Sequence, residues 1–475
     1  MKKYFLIACS LGLLAASCRK IEVDGDGDGG IKPGESDEVI LEGQITQNQT
    51  LDDPNKTYII RGTVYVNSGV TLTVAAGITV YGELSSKGAL IITRGAKIMA
   101  EGTADKPIIF TSEAAESNRR AGDWGGIVIL GKASTNASYN NQAGVGEIEG
   151  GVNNGAGQGL YGGGASPDDN DNSGVLKYVR IEYAGFAYIP DKELNSLTLG
   201  AVGKGTKIEY VQISYALDDA IECFGGNVDL KHIVAYKTLD DDFDTDNGYS
   251  GKIQFGIVLR DSARADISKV EGWESDNDAN GSTLTPQTSA VYSNMTVLGP
   301  RATTSNIGNS LFLAGAQIRR NSSISIFNSV IMGWPTGILI DDSKGTATSG
   351  NITASKLVIK NTSISGCAKP LDYSKGSVDF GLSAVETWFN EPAKKNNIYT
   401  TNDDVKLTAA FAYPTASKPN EQPDFTPQSS SPLVAAGAAD FSDTKLTGFD
   451  QVTFRGAVGS TGTDATWWKG WTSFK

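Results

Sequence analysis

Two acidic segments of this chain align with each other. Leu217-Asp218-Asp219-Ala220-Ile221-Glu222 is followed, twenty-two residues on, by Leu239-Asp240-Asp241-Asp242-Phe243-Asp244, and Asp246 extends the second. Each follows a run of alternating apolar residues: Ile208, Tyr210, Ile213 and Tyr215 before the first, Leu230, Ile233 and Tyr236 before the second. If the two units stack at the strand spacing of about 4.8 Å, Asp218 lies over Asp240, Asp219 over Asp241 and Glu222 over Asp244. Carboxylates so placed repel by roughly 1 kcal/mol per pair even at the dielectric of water. A bound cation, bound protons or exposure to solvent must offset that cost. The cation reading takes Asp218, Asp219, Glu222, Asp240, Asp241, Asp242, Asp244 and Asp246 as candidate ligands for calcium, a hard ion that gathers about six to eight oxygens. Successive positions of a strand face opposite ways, so some of these side chains must point away from any shared site.

A repeat near twenty residues, built of short strands and turns, is the length of one coil of a parallel β-helix. The rest of the chain fits this all-β reading. Val64 and Val66, Leu72 and Val74, and Ile78 and Val80 alternate in period two between Thr57 and Ser112, broken by Asn67-Ser68-Gly69 and Ala75-Ala76-Gly77. Strand patterns resume at Leu176 and run past Ile364. A third acidic turn occupies Glu274 to Gly281, and Asn294, Asn321, Asn328 and Asn361 fall where coil corners are expected. Between them, residues 134–174 are rich in Gly and Asn and too long for a plain corner; they form either a wall beside the helix or a simple insertion. Val385, Trp388 and Phe389 give Ser383 to Lys394 a helical apolar face, suited to covering the C-terminal opening. Trp467, Trp468 and Trp471 form an aromatic cluster that serves as a buried cap or as a platform for sugars.

Composition narrows the chemistry. The 475-residue chain carries a net charge of −13 and no basic patch, which argues against nucleic acid as a partner. Its one histidine, His232, sits inside a strand pattern, which argues against a Ser-His-Asp triad and a histidine-rich zinc site. A catalytic base would have to be a carboxylate, a Tyr, or one of the nearby Arg180, Arg260, Lys237 and Lys252. Cys223 and Cys367 are several coils apart and read as free buried thiols.

The N-terminus has the pattern of an export leader over residues 1–17: Lys2 and Lys3, then an apolar stretch from Phe5 to Ala16 too short to span a bilayer. Leu14-Ala15-Ala16-Ser17-Cys18 resembles a lipobox, which implies cleavage before Cys18 and lipidation of that residue. Residues 18–37 read as a flexible tether.

Gly88 to Ser112 resembles the first coils of right-handed parallel β-helices. Together with Asp123-Trp124-Gly-Gly-Ile-Val-Ile-Leu-Gly131 and the end of the chain, it is similar to a group of exported β-helix lipoproteins of Bacteroidetes. The resemblance implies a single-stranded right-handed parallel β-helix over 38–382 with the 134–174 insertion, a helix and capping segment over 383–475, and a place at the outer membrane or cell surface. Asp240, Asp242, Asp244 and Asp246 resemble the ligand spacing of calcium loops, without the distant glutamate of an EF-hand. Asp218-Asp219-Ala220-Ile221 resembles the Asp-Asp pair of polygalacturonase-type glycoside hydrolases, which implies Asp218 and Asp219 as general acid and water-activating base, with Asp240 or Asp241 one coil away; the Gly-His-Gly turn and the Arg-Ile-Lys triplet of that family are missing. The expectation is a lipid-anchored protein that binds a polysaccharide or an envelope protein, with calcium as a structural ion. The alternative is a carbohydrate-active enzyme, either a hydrolase or a calcium-dependent lyase.

Overall fold

A computed structural model describes residues 37–475, apart from 190, 191, 302 and 304. The leader, Cys18 and the tether before Asp37 lie outside the described residues. The chain winds into a parallel β-helix whose 27 strands form a single continuous sheet. Among the described residues no helix is long and apolar enough to cross a membrane.

Three strips of parallel strands make the faces of the coil. The first includes Thr79–Gly82, Ile108–Ser112 and Val330–Met332, and the third includes Thr71–Val74, Lys97–Glu101 and Ser325–Phe327. In the middle coils one strand serves both: Gly174–Glu182, Lys207–Ser214, Leu230–Tyr236, Lys252–Leu259 and Val291–Leu298 each bend once between them. The second face runs through Gly126–Leu130, Leu197–Gly200, Ile221–Phe224, Phe243–Asp246, Trp273–Ser275 and Phe312–Ile318.

The bend needs one residue per coil in the left-handed region. Tyr178, Tyr210, His232, Phe255, Asn294, Asn328 and Asn361 supply it, with φ of 50°, 56°, 57°, 60°, 56°, 49° and 52°. The asparagines tolerate this backbone through their short polar side chains. The aromatic residues recover part of the strain by stacking: Tyr178 on Tyr210 at 4.4 Å, Tyr210 on His232 at 4.2 Å, and His232 on Phe255 at 5.0 Å. Three of the asparagines expected at corners are therefore in this ladder. Their amides bond outward: Asn294 Nδ2 donates to Phe454 O at 2.8 Å and Asn328 Nδ2 to Asp440 O at 3.2 Å.

One apolar core runs the length of the coil from Leu41 to Phe389. Cys223 and Cys367 are buried in it as free thiols, as expected. The expected helix is shorter than its pattern: it spans Leu382–Phe389, and Pro392 starts a separate 3-10 turn that reaches Lys394. It buries Val385, Trp388 and Phe389 into the end of the core. A second short helix, Ser349–Thr353, was not legible in the pattern. The tryptophan cluster is buried, as the cap reading expects, with Trp468 and Trp471 almost wholly covered. It lies on the flank of the coil, where Trp468, Trp471 and Phe474 cover the outward side chains Val234, Tyr236, Ile257 and Leu259. The C-terminal segment is thus a strap along the first face, and the coil end is closed by the helix.

Candidate functional site

Strand alternation builds the acidic face. In the second strip Ile221, Phe243 and Trp273 point inward and are almost wholly buried, which turns the next residue outward in each coil. The register pairs Glu222 with Asp244 and Asp244 with Glu274. The expected step of Glu222 over Asp244 is therefore present, and Glu274 from the third acidic turn extends it.

A second ladder runs down the adjoining corner. Asn195 Oδ1 accepts from the backbone N–H of Asp219 at 3.2 Å, Asp219 Oδ1 from that of Asp241 at 2.9 Å, and Asp241 Oδ1 from that of Glu271 at 2.5 Å. Each acid thus staples the next coil with one oxygen and keeps the other for something else. Together the two ladders form three groups: Asp218, Asp219 and Asp240; Asp219, Glu222 and Asp244; and Asp241, Glu271 and Glu274. Within each group one oxygen from every carboxylate lies within 4.8 Å of the others.

These groups are recessed but not sealed: Asp219, Asp241 and Glu271 are buried, while Asp218, Glu222, Asp240, Asp244 and Glu274 keep part of their surface in solvent. Burial first, and neighbouring carboxylates second, hold Asp219, Glu222, Asp241 and Glu274 well above the ordinary carboxylate range. Burial likewise pushes Asp240 and Asp244 up to about 7. Without a cation the face holds protons near neutral pH, and a cation would have to displace them.

Two of the candidate ligands stand apart. Asp242 lies at the corner just before the strand Phe243–Asp246 and pairs with Arg260 at 3.0 Å, both side chains being fully buried. Its partner explains why it does not join its neighbours: an unpaired charge there would be far costlier than the pair. Asp246 accepts from the Asn247 N–H at 2.5 Å and belongs to none of the three groups.

The four candidate bases also lie elsewhere. Arg180 pairs with Glu182 at 2.9 Å, Lys237 with Asp261 at 3.5 Å, and Lys252 donates to Thr447 O at 2.8 Å. Arg260 touches the acidic turn only from behind, through Asp240 O at 2.7 Å and Asp242. The cation that does reach the acids is Arg319, bonded to Glu274 and, at 2.9 Å, to Asp276 Oδ1. Those carboxylates raise its pKa further, so it is a fixed positive charge and no proton acceptor. No motif marks Arg319; its arrival depends on the length of the intervening coil. His232, wedged in the aromatic ladder, is pushed down to about 3 by burial, which keeps it neutral and leaves it a packing role.

Residues 134–174 form a wall beside the acids. Ile148, Val152 and Tyr161 pack on the outward side chains Val128, Leu130 and Phe224 of the second strip. Thr135 Oγ1 donates to Asn247 O at 2.9 Å, and Asn136 Nδ2 to Asn277 O at 2.8 Å. The chemistry available is that of a recessed oxygen cluster beside an ordered wall, suited to a hard cation.

Comparison with protein families finds a match over residues 43–409 to one described as a pectate-lyase like beta helix domain. No curated protein and no solved structure matches the chain.

Proposed function

The chain belongs to the family of pectate-lyase-like β-helix domains, and we propose that it is a surface domain that binds a glycan, or another envelope component, beside a calcium site. The observation that carries this reading is the shared position of Asp219, one member of two carboxylate groups whose oxygens lie within 4.8 Å. Asp218 and Asp240 complete one group, and Glu222 and Asp244 the other. A calcium ion offsets the repulsion there and leaves coordination positions for the hydroxyls or carboxylate of a sugar. The wall built by residues 134–174 supports a ligand lying alongside. The leader pattern and Cys18 support export and a lipid anchor at the outer membrane or cell surface.

A second reading, carbohydrate cleavage, is favoured by one observation. Asp240, with a pKa pushed up to about 7, lies against Asp218 and Asp219, a pairing suited to a general acid and a base. A lyase is less well supported, because Arg319 is tied to two carboxylates and the other basic candidates face elsewhere.

One experiment separates the readings. The protein is incubated with acidic and neutral polysaccharides, with calcium and with chelator, and both retention and new reducing ends are followed. Calcium-dependent retention without cleavage is the expected result. Cleavage that vanishes in Asp218→Asn/Asp219→Asn makes these acids catalytic. Absence of calcium binding by calorimetry removes the ion from the proposal.

A further inference from the structure

The third carboxylate group carries an argument of its own. Asp241, Glu271 and Glu274 come from two successive coils, and Glu271 and Glu274 were not among the ligands expected from the sequence. Glu271 is only 2% exposed and Asp241 5%. Asp241 Oδ1 is engaged by the Glu271 N–H at 2.5 Å, while Glu271 Oε1 is buried with no hydrogen-bond partner, its side chain facing the Asp241 carboxyl. An orphaned carboxylate oxygen in such a place costs free energy unless a proton or a cation sits against it. Arg319, Arg260 and Lys269 favour the charged form of Glu271 from a distance, but none of them bonds to Oε1. Arg319 contacts Glu274 at the rim and is shared with Asp276, which also takes Arg320.

We infer that Asp241, Glu271 and Glu274 hold a second divalent cation, distinct from the ion at Asp219, so that the acidic face binds two ions. The inference extends the calcium reading above, but it has its own residues. The ligand set is all oxygen and carboxylate-rich, which selects a hard cation. Ligand type favours calcium: it accepts a flexible shell of carboxylates, whereas magnesium demands near-ideal octahedral geometry and keeps several waters. The oxygens here lie within 4.8 Å of one another, close enough to share one ion. Asp241 staples the next coil while ligating, so the second ion also locks the register between the coils of Asp241 and Glu271.

Calcium titration of the whole protein by calorimetry tests this, with terbium luminescence as a second count. Two ions are expected for the wild type. Glu271→Gln should retain one, with its affinity changed less than threefold, and Glu222→Gln should retain the other. A count of one that Glu271→Gln leaves unchanged overturns the second site while sparing the first. A count of zero overturns both, and means that Glu271 and Asp241 share only a proton. If Glu271→Gln fails to fold by circular dichroism, Glu274→Gln decides: one ion supports the inference and two ions refute it.

Discussion

Asp219→Asn gives the sharpest test of the acidic face. The substitution keeps the shape and keeps Oδ1, so the side chain can still accept the Asp241 N–H now held at 2.9 Å. What it removes is a charge that belongs to two carboxylate groups. Two like charges at the 4.8 Å limit of those groups repel by about 3.5 kcal/mol at an effective dielectric near 20. Protonation already relieves part of this, because burial and neighbouring acids hold the Asp219 carboxyl well above its ordinary range. In chelator near pH 8, where the face is most charged, the variant should therefore gain about 1–3 kcal/mol in urea unfolding. Calcium at a hundredfold excess over Kd should stabilise the wild type by about 2.7 kcal/mol per site. In the variant the part due to the Asp219 ion should vanish. A loss of stability in chelator, joined to an undiminished response to calcium, would refute the reasoning and leave Asp219 as a backbone staple alone.

Three further outcomes follow from the same structure. Asp240 and Asp244 titrate near 7 when folded and near 4 when unfolded, so the native state binds the extra protons. Stability in chelator should be greatest below about pH 4 for this contribution, and fall between pH 4 and 7 by about 1.4 kcal/mol per pH unit for each proton held. Calcium should flatten that slope, and a rise in stability over the same window would contradict the burial of these acids. Arg260→Met strands the buried Asp242 carboxylate and should cost about 3–5 kcal/mol in urea unfolding, most of it regained in Arg260→Met/Asp242→Leu. An unrecovered double variant would show that the pair does more than balance charge. Trp471→Ala empties a fully buried position beneath the strap and should cost about 3–5 kcal/mol. Limited proteolysis should then cut between Ala410 and Lys475 before it touches the coils; simultaneous loss of both would mean that strap and coil form one cooperative unit.

Much of the acidic face was legible because the coil length is constant from Ile208 to Asp246. Twenty-two residues separate Asp219 from Asp241, and the bond between them follows that register. The next coil is longer, with thirty residues between Asp241 and Glu271. Counting alone therefore missed Glu271 and Glu274 as ligands, although the acidic turn that begins at Glu274 was visible. Arg319 is forty-five residues beyond Glu274, and nothing local announces it. Period-two alternation required some acids between Asp240 and Asp246 to turn away from the others. It could not say that Asp242 was one, since that depends on Arg260 arriving from the neighbouring coil. The tryptophans near the chain end announced a buried cluster in their composition, while its place on the flank was decided by the outward apolar stripe of Val234, Tyr236, Ile257 and Leu259.

The sequence by itself determined the coil, because a strand repeat with alternating apolar residues has few ways to bury its inward side. It also determined that carboxylates would stack. Only the tertiary structure decided which of them share a site, which staple a backbone and which meet an arginine. Those outcomes rest on loop lengths and on contacts between coils, where charge and burial act across distances in space that no local pattern encodes.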